Sequence, residues 1–361
     1  MKDKKVRIQR SRVRAPEQII GIDIGDRISR VCVLSGDCVI IREEPLPTTP
    51  EAFRERFDGL GRCRTVIEAG AHSPWISRLL EKLGHEVIVA NTRQVRLIYE
   101  SDSKNDRVDA RTLARLARVD PGLLRPIHHR SVEAQSDLAI LRARDVLVSG
   151  RTKLINNIRG TLKAFGYRFP RVSASSVGMR LRDSIPDMLK TALLPMLEHV
   201  GHLSAVIYAY DKIIVKLGKT KYPATQLIQQ IPGIGSLTSL AFVLTIDNPH
   251  RFERSRDVGS YLGLRPRQAD SGQCKPQLSI TKAGNSYLRR LLVGCAQYIL
   301  GHFGVDSDLR RWGYALMSRG GKNAKKRAIV AVARKLAVLM HSLWVSGTVY
   351  DPLRHVRAEA A

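Results

Sequence analysis

An acid stands inside the most apolar short run near the start of the chain. The segment from Gln18 reads QIIGIDIG, so Asp23 lies among Ile19, Ile20, Ile22 and Ile24. A short apolar run of this kind bounded by glycine has the pattern of a buried β-strand. A carboxylate within it is costly to bury unless it is paired or coordinates a metal. Helix caps and surface salt bridges explain a mid-strand acid poorly. The position therefore points to a carboxylate that is paired or holds a metal.

Two further β-type stretches follow, ISRVCVLSG and CVIIREE, separated by Gly and Asp turn signals at a spacing suited to a meander. Next come a β-type run RTVIEAG (64–70), a helical pattern WISRLLEKLG (75–84), an apolar run HEVIVAN (85–91) and a helical pattern DRVDARTLARLARV (106–119). Strands first and βαβ alternation afterwards give an α/β unit in the element order of the RNase H type fold, although periodicity alone also permits other α/β sheets. The pattern breaks at Pro121–Pro126. From Ser131 to Phe165 apolar residues recur at three and four, among them Leu138, Leu141, Val146, Leu147, Leu154, Ile155, Ile158 and Leu162, and a second helical stretch runs from Asp187 to Leu217. Two long helices joined by a Ser-rich segment at 171–177 suggest a helical hairpin or short coiled coil, a spacer or dimerisation arm. From Thr225 the chain is again globular, helix-rich and dense in Gly, Lys and Arg. The expected organisation is a basic arm (1–17), an α/β domain (18–127), a helical arm (128–222) and a helix-rich C-terminal domain (223–361).

Charge narrows the partners. Sixty Lys and Arg against 33 Asp and Glu give a formal charge of +27 over 361 residues, which attracts polyanions, either nucleic acid or an anionic membrane. The most apolar late stretch, Ala328–Val345, is interrupted by Arg334, Lys335 and His341, so no membrane span is expected and nucleic acid is the better partner. The start, MKDKKVRIQRSRVR, is basic with no apolar region after it, which excludes a secretory signal and leaves a solvated tail or a phosphate-binding arm. Cys32, Cys38, Cys63, Cys274 and Cys295 are odd in number and scattered, which argues against a disulfide framework or zinc site and places the protein in a reducing cytoplasm.

Three more acids belong with Asp23. Glu68 ends the run TVIEAG, and acids on neighbouring strand ends can converge in the crevice there. Asp106 and Asp109, spaced i, i+3, share one face of the helix that opens near Asn105. Four carboxylates in one crevice repel unless cations neutralise them, and two Mg²⁺ about 3.5–4 Å apart can clamp a phosphodiester. The plainer alternatives are a helix-capping role for Asp106 and a solvated Asp109 balanced by Arg107 or Arg111. Asp26, after Gly25, reads as a turn residue, His72 as structural, and His128 and His129 as loop residues.

Further along, Ser271 in ADSGQ is flanked by Arg265, Arg267 and Lys275, with Gly272 permitting close backbone approach and Lys282, Arg289 and Arg290 following. These surroundings suit a phosphate, but Asp-Ser-Gly is also ordinary turn chemistry. In IPGIGSLTSLAFVLTI, Gly233 and Gly235 precede an apolar helix as in a helix-hairpin-helix turn, whose N–H groups and helix N-terminus can hold a DNA phosphate; a ligand-free turn between packed helices fits equally. The basic run RGGKNAKKR (319–327) reads as a solvated face.

GIDIG, VIEAG, KNDRVDARTLARL, IPGIGSLTSLAFVLTI, YLGLRPRQADSG and ITKAGNSYLRRLL, in this order, resemble the motifs of the DEDD-type transposases of insertion sequences, the bridge-RNA-guided recombinases. The resemblance runs from Gln18 to about Leu353. It implies a RuvC-like domain in which Asp23, Glu68, Asp106 and Asp109 are the Mg²⁺-binding tetrad, and Ser271 as the nucleophile that becomes joined to DNA. It further implies donor and target DNA and a non-coding bridge RNA as partners, an oligomer (dimer or tetramer) with the arm in its interface, and a prokaryotic-type, nucleoid-associated location. One departure is that His72, Ser73 and Pro74 follow Glu68 where relatives carry a more Gly- and Thr-rich turn. The rival expectations are a metal-dependent junction resolvase or nuclease in which Ser271 is only a turn, and a non-catalytic nucleic-acid-binding protein.

Overall fold

A computed structural model describes residues 18–91, 106–272, 274, 276 and 278–354, and the side chains of Asp106 and Arg107 lie outside that description. The basic arm at 1–17 and Lys275 also lie outside it. The chain divides into two compact units, Met1–His129 and Arg130–Ala361.

In the first unit β1 (Ile19–Asp23), β2 (Ile28–Leu34) and β3 (Ile40–Pro47) form an antiparallel meander. β4 (Arg64–Glu68) pairs in parallel with β1, and β5 (Glu86–Ala90) in parallel with β4. The resulting five-stranded sheet has the order β3-β2-β1-β4-β5, with β1 at its centre. The mixed α/β class expected from the sequence is what forms, and each of the five β-type runs is a strand. Helix α1 (Pro50–Phe57), which the sequence reading did not contain, precedes β4. It is only two turns long, capped by Thr49 and started by Pro50, and it buries Phe53 and Phe57 at i, i+4. Helix α2 (Ser73–Lys82) joins β4 to β5.

Both faces of the sheet are covered. Ile20, Ile22, Val31, Ile67 and Val89 pack with Phe53, Phe57, Ile76 and Leu80 from α1 and α2. Ile19, Cys32, Val66 and Ile88 pack with Ala110, Leu113, Ala114 and Ala117 of helix α3 (Asp106–Val119) on the other side. That double cover is why β1 reads as an unbroken apolar run rather than an alternating one. Each fully buried side chain of this kind contributes about 1.5–3 kcal/mol. Helix α3 comes unusually close to the sheet. A Cβ built on Gly21 would stand 2.1 Å from the Ala110 carbonyl oxygen and 2.8 Å from the Ala114 nitrogen, so only glycine fits beneath the helix.

The second unit is helical. α4 (Val132–Ala164), capped by Ser131, and α5 (Asp187–Thr220) pair lengthwise, matching the two helical stretches read from the sequence to within a few residues. Their roots and their far ends belong to different cores. Ala134, Leu138, Leu141 and Ile214 join the core built by α6 (Ser236–Ile246), α7 (Ser286–Ile299) and α8 (Ala324–Ser346). Ile155, Ile158 and Leu162 instead pack with Val177, Leu181, Leu189, Leu193 and Leu197 in a separate cluster. The root is also held by ions: buried Asp137 accepts from Lys221 Nζ and from the Tyr222 hydroxyl, both at 2.6 Å. Among the described residues α8 is long and apolar enough on average to cross a membrane, which the interrupted run had not suggested. Its buried positions, Ala328, Val332, Leu336, Ala337 and Met340, are nevertheless spent on the core of this unit.

Gly21→Ala is expected to destabilise the first unit by about 1–3 kcal/mol through overpacking. Gly61→Ala, where a Cβ meets nothing within 4 Å, serves as the neutral control in urea unfolding.

Candidate functional site

The paired registers bring Asp23 and Glu68 to one edge of the sheet. Ile22 is opposite Ile67 in the parallel β1–β4 pair, so Asp23 and Glu68 are each the next residue at the carboxyl ends of adjacent strands. Strand alternation then selects the face. Ile19 and Gly21 lie on the α3 side, as does Val66, and two residues further along come Asp23 and Glu68. The direction of α3 agrees. The Ala117 carbonyl accepts from Arg64 Nη1 at 3.4 Å at the start of β4, so the opposite, N-terminal end of the helix lies toward the strand ends. Asp109 is 8% exposed one residue before Ala110, the point of closest approach to β1. Asp106 opens the same helix, and its side chain lies outside the described residues.

Two residues set aside in the sequence reading occupy the same edge. The Trp75 indole N–H donates to His72 Nδ1 at 3.1 Å, which leaves the ring proton on Nε2, and Nε2 is 3.4 Å from the exposed Asp26 carboxylate. Their separation of 46 positions hides the pairing from sequence. The oxygen-rich donor set is of the kind that hard divalent cations take. Among the described residues, however, no group of three or more His, Cys, Asp or Glu side chains is gathered closely enough to hold a metal ion.

In the second unit Ser271 sits at the tip of a β-hairpin-like arm. The backbones of Ser271 and Cys274 exchange hydrogen bonds at 3.2 and 3.0 Å around Gly272, which has φ +54°. Below them Arg267 N–H donates to the Ser279 carbonyl, Thr281 N–H to Arg265 and Lys282 N–H to Gly263, at 2.9, 2.9 and 3.1 Å. Ser271, Arg265, Arg267 and Lys282 are all exposed. The base is pinched. A Cβ on Gly263 would be 2.2 Å from the Ala283 carbonyl oxygen, one on Gly284 would be 2.1 Å from that of Tyr261, and both glycines have positive φ. Arg289 closes the pinch by donating to the carbonyls of Leu262 and Ala283 at 2.9 and 2.7 Å, and burial of its guanidinium lowers its pKa. Arg289 thus supports the hairpin, and Arg290 is engaged by Asp145 at 2.5 Å, whose hydrogen bond holds its pKa up. Neither role was visible in a run of basic residues.

Gly233 and Gly235 form the turn between a short helix (224–228) and α6. Gly233, at φ +93°, lies against the Tyr298 ring, where a Cβ would come within 2.7 Å, whereas Gly235 faces open space. With Gly294 and Tyr298 the turn lines a shallow groove at the N-terminal end of α6.

Comparison with known proteins fits both units. A transposase pattern of the DEDD, IS110 type matches residues 20–166, and the pattern described as "Transposase IS116/IS110/IS902 family" matches residues 225–312. The transposase for insertion sequence element IS1111A of Coxiella burnetii is 30% identical over 340 residues, covering 90% of this chain and 89% of that protein. The chain belongs to the IS110 family of transposases. The transposase for insertion sequence element IS1328 of Yersinia enterocolitica is 30% identical over 299 residues, covering 80% of this transposase and 86% of that one. A shorter match, 28% over 163 residues, reaches the pilin gene-inverting protein of Moraxella lacunata and covers 44% of this transposase and 49% of that protein.

Replacing Arg289 with Ala in the transposase removes two bonds from a charged donor, to the part-buried Leu262 carbonyl and the exposed Ala283 carbonyl. A loss of about 1.5–3 kcal/mol and faster amide exchange confined to 263–284 are the expected readouts, measured by denaturation and hydrogen exchange.

Proposed function

We propose that this transposase cuts and rejoins DNA strands through a covalent bond between Ser271 and a DNA phosphate. In this reading Asp23, Glu68, Asp106 and Asp109 form the acidic site of a RuvC-like domain. The observation that carries the proposal is the placement of Ser271, an exposed hydroxyl on the tip of a hairpin whose base is locked by Gly263, Gly284 and Arg289. A serine displayed on a rigid support with Arg265, Arg267 and Lys282 along the same hairpin suits attack on an anionic phosphodiester better than it suits a turn selected only for compactness. Supporting the RuvC-like assignment are the antiparallel meander, the two parallel strands added beside β1, and acids at the ends of β1 and β4.

The chemistry balances without an outside energy source. Ser271 Oγ gives up its proton and attacks phosphorus, the Oγ–P bond forms as one P–O bond of the strand breaks, and the leaving DNA oxygen takes up a proton, so none is gained or lost overall. Resealing is the reverse step with a different DNA hydroxyl. Asp23, Glu68, Asp106 and Asp109 would hold Mg²⁺, which when bound offsets charge on the phosphate and favours the ionised hydroxyl. The acids come from one unit and Ser271 from the other, so a composite site can be completed within one chain or between two. Cutting and rejoining several ends together calls for an oligomer, a dimer or a tetramer built from dimers, with the arm in its interface.

Gly233 and Gly235 with the start of α6 serve, in this reading, as a helix-hairpin-helix contact to backbone phosphate. A charge of +27 suits a protein that holds donor DNA, target DNA and a non-coding bridge RNA by their backbones while base pairing reads the sequence. The Moraxella relative is a pilin gene-inverting protein, and inversion requires both ends of a segment to be cut and rejoined. The rival in which Ser271 is only a turn has one observation in its favour, the closed Ser271–Cys274 backbone pair.

Ser271→Ala separates the two. Loss of the covalent protein–DNA adduct on denaturing gels, with DNA affinity unchanged, is the expected result; cleavage at the normal rate by the variant would leave only the water-dependent nuclease. Asp23→Asn is expected to slow strand cleavage by several orders of magnitude, and chelation of Mg²⁺ to do the same to the unaltered protein. A non-catalytic binding protein would respond to neither.

A further inference from the structure

The two halves of the helical arm differ in net charge. At the root several cations are matched: Lys221 pairs with Asp137 and Glu133 at 2.6 and 2.8 Å, Arg144 with Asp211 at 2.6 Å, and Arg290 with Asp145 at 2.5 Å, while Arg142, Lys212, Lys216 and Lys219 are exposed. Beyond Asp145 no acid occurs before Asp183, and on the second helix at this end Asp187 and Glu198 are paired with Lys190 and Arg182. Residues 146–182 contain eight Lys and Arg and no Asp or Glu. Lys153, Lys163, Arg168, Arg171 and Arg180 are exposed, and none of the five forms an ion pair among the described residues.

This end of the arm is a folded support. Ile155, Ile158 and Leu162 pack with Val177, Leu181 and Leu189 in a core of its own, so the cations are displayed by a packed tip. From Asp145 to Ala164 the helix rises about 30 Å at 1.5 Å per residue, and a turn of B-DNA is about 34 Å. We infer that the distal end of the arm is a second DNA-binding surface, in which Lys163, Arg168, Arg171 and Arg180 hold duplex backbone phosphates about one helical turn from the segment handled by the rest of the protein.

Charge decides the occupant. A two-fold contact of tip against tip would set one cationic surface against its own copy, since residues 146–200 carry nine Lys and Arg against Asp183, Asp187 and Glu198, and like charges repel. Duplex DNA, on which the family acts, supplies regularly spaced anions over the length that the arm spans. The inference needs only that action on DNA and does not depend on Ser271 as the nucleophile.

The test uses the full chain with Lys163→Ala, Arg168→Ala, Arg171→Ala and Arg180→Ala combined, and a second variant with Lys163→Arg, Arg168→Lys, Arg171→Lys and Arg180→Lys. Binding is read by fluorescence anisotropy against salt for a duplex of about 40 base pairs, one of about 12 base pairs, and a structured RNA. The alanine variant is expected to lose tenfold or more in affinity for the long duplex at about 0.15 M salt, with a log–log salt slope shallower by about 3–4. Affinity for the short duplex, melting temperature and oligomer mass should be unchanged, and the charge-keeping variant should bind like the unaltered protein. Unchanged binding of the long duplex overturns the inference, as does a loss seen on RNA alone, a change in oligomer mass, or equal losses on both duplex lengths.

Discussion

The acidic edge depends on a backbone contact rather than on the acids themselves. With no side chain at Gly21, helix α3 settles directly on the central strand, and the Ala110 carbonyl occupies the space in which a Cβ would stand. That contact sets the depth and rotation of the helix, which brings the Asp109 end of α3 to the side where Asp23 and Glu68 leave their strands. Arg64, bonded to the Ala117 carbonyl at the other end, fixes the helix direction. The sheet therefore positions its carboxylates through packing density, and any change that lifts α3 by an ångström alters the site before it touches a functional group.

In the second unit Ser271 stands exposed at the tip of a hairpin with a closely packed base. Gly263 and Gly284 allow two backbone segments to come closer than side chains permit, and Arg289 ties the carbonyls on either side of the crossing. Above the pinch the hairpin carries cations and Ser271 to the surface. The long helices obey a similar division. Buried Asp137, bonded to Lys221 and Tyr222, anchors their root to the C-terminal core, while the far end has its own core and an unbalanced charge.

Much of this was legible in the residues. The five strands, α3 and both long helices followed from periodicity, because each buries a face large enough to leave a regular pattern. Asp23 drew attention because a carboxylate in an isoleucine-rich strand has few structural explanations. Helix α1 was missed because two turns carry only two core residues, Phe53 and Phe57. The roles of Arg289 and Arg290 were hidden because a basic side chain bonded to a carbonyl or to Asp145 reads in sequence like one that awaits a phosphate. The pairing of His72 with Asp26 depends on the indole of Trp75 fixing the ring tautomer, a property of three-dimensional contact that spacing does not carry. The membrane-length apolarity of α8 was masked by Arg334 and Lys335.

In the proposed reaction one phosphate is served by the carboxylates of the sheet edge and by the hydroxyl of the hairpin tip. The most direct measurement is a cryo-electron microscopy structure of the full chain bound to DNA and a divalent cation, stalled before cleavage. The expected result is Ser271 Oγ about 3–3.5 Å from the phosphorus it attacks, with the cation held between that phosphate and the carboxylates of Asp23 and Glu68. A structure in which the carboxylates flank one phosphate while Ser271 from every protomer stands away from it would contradict the account.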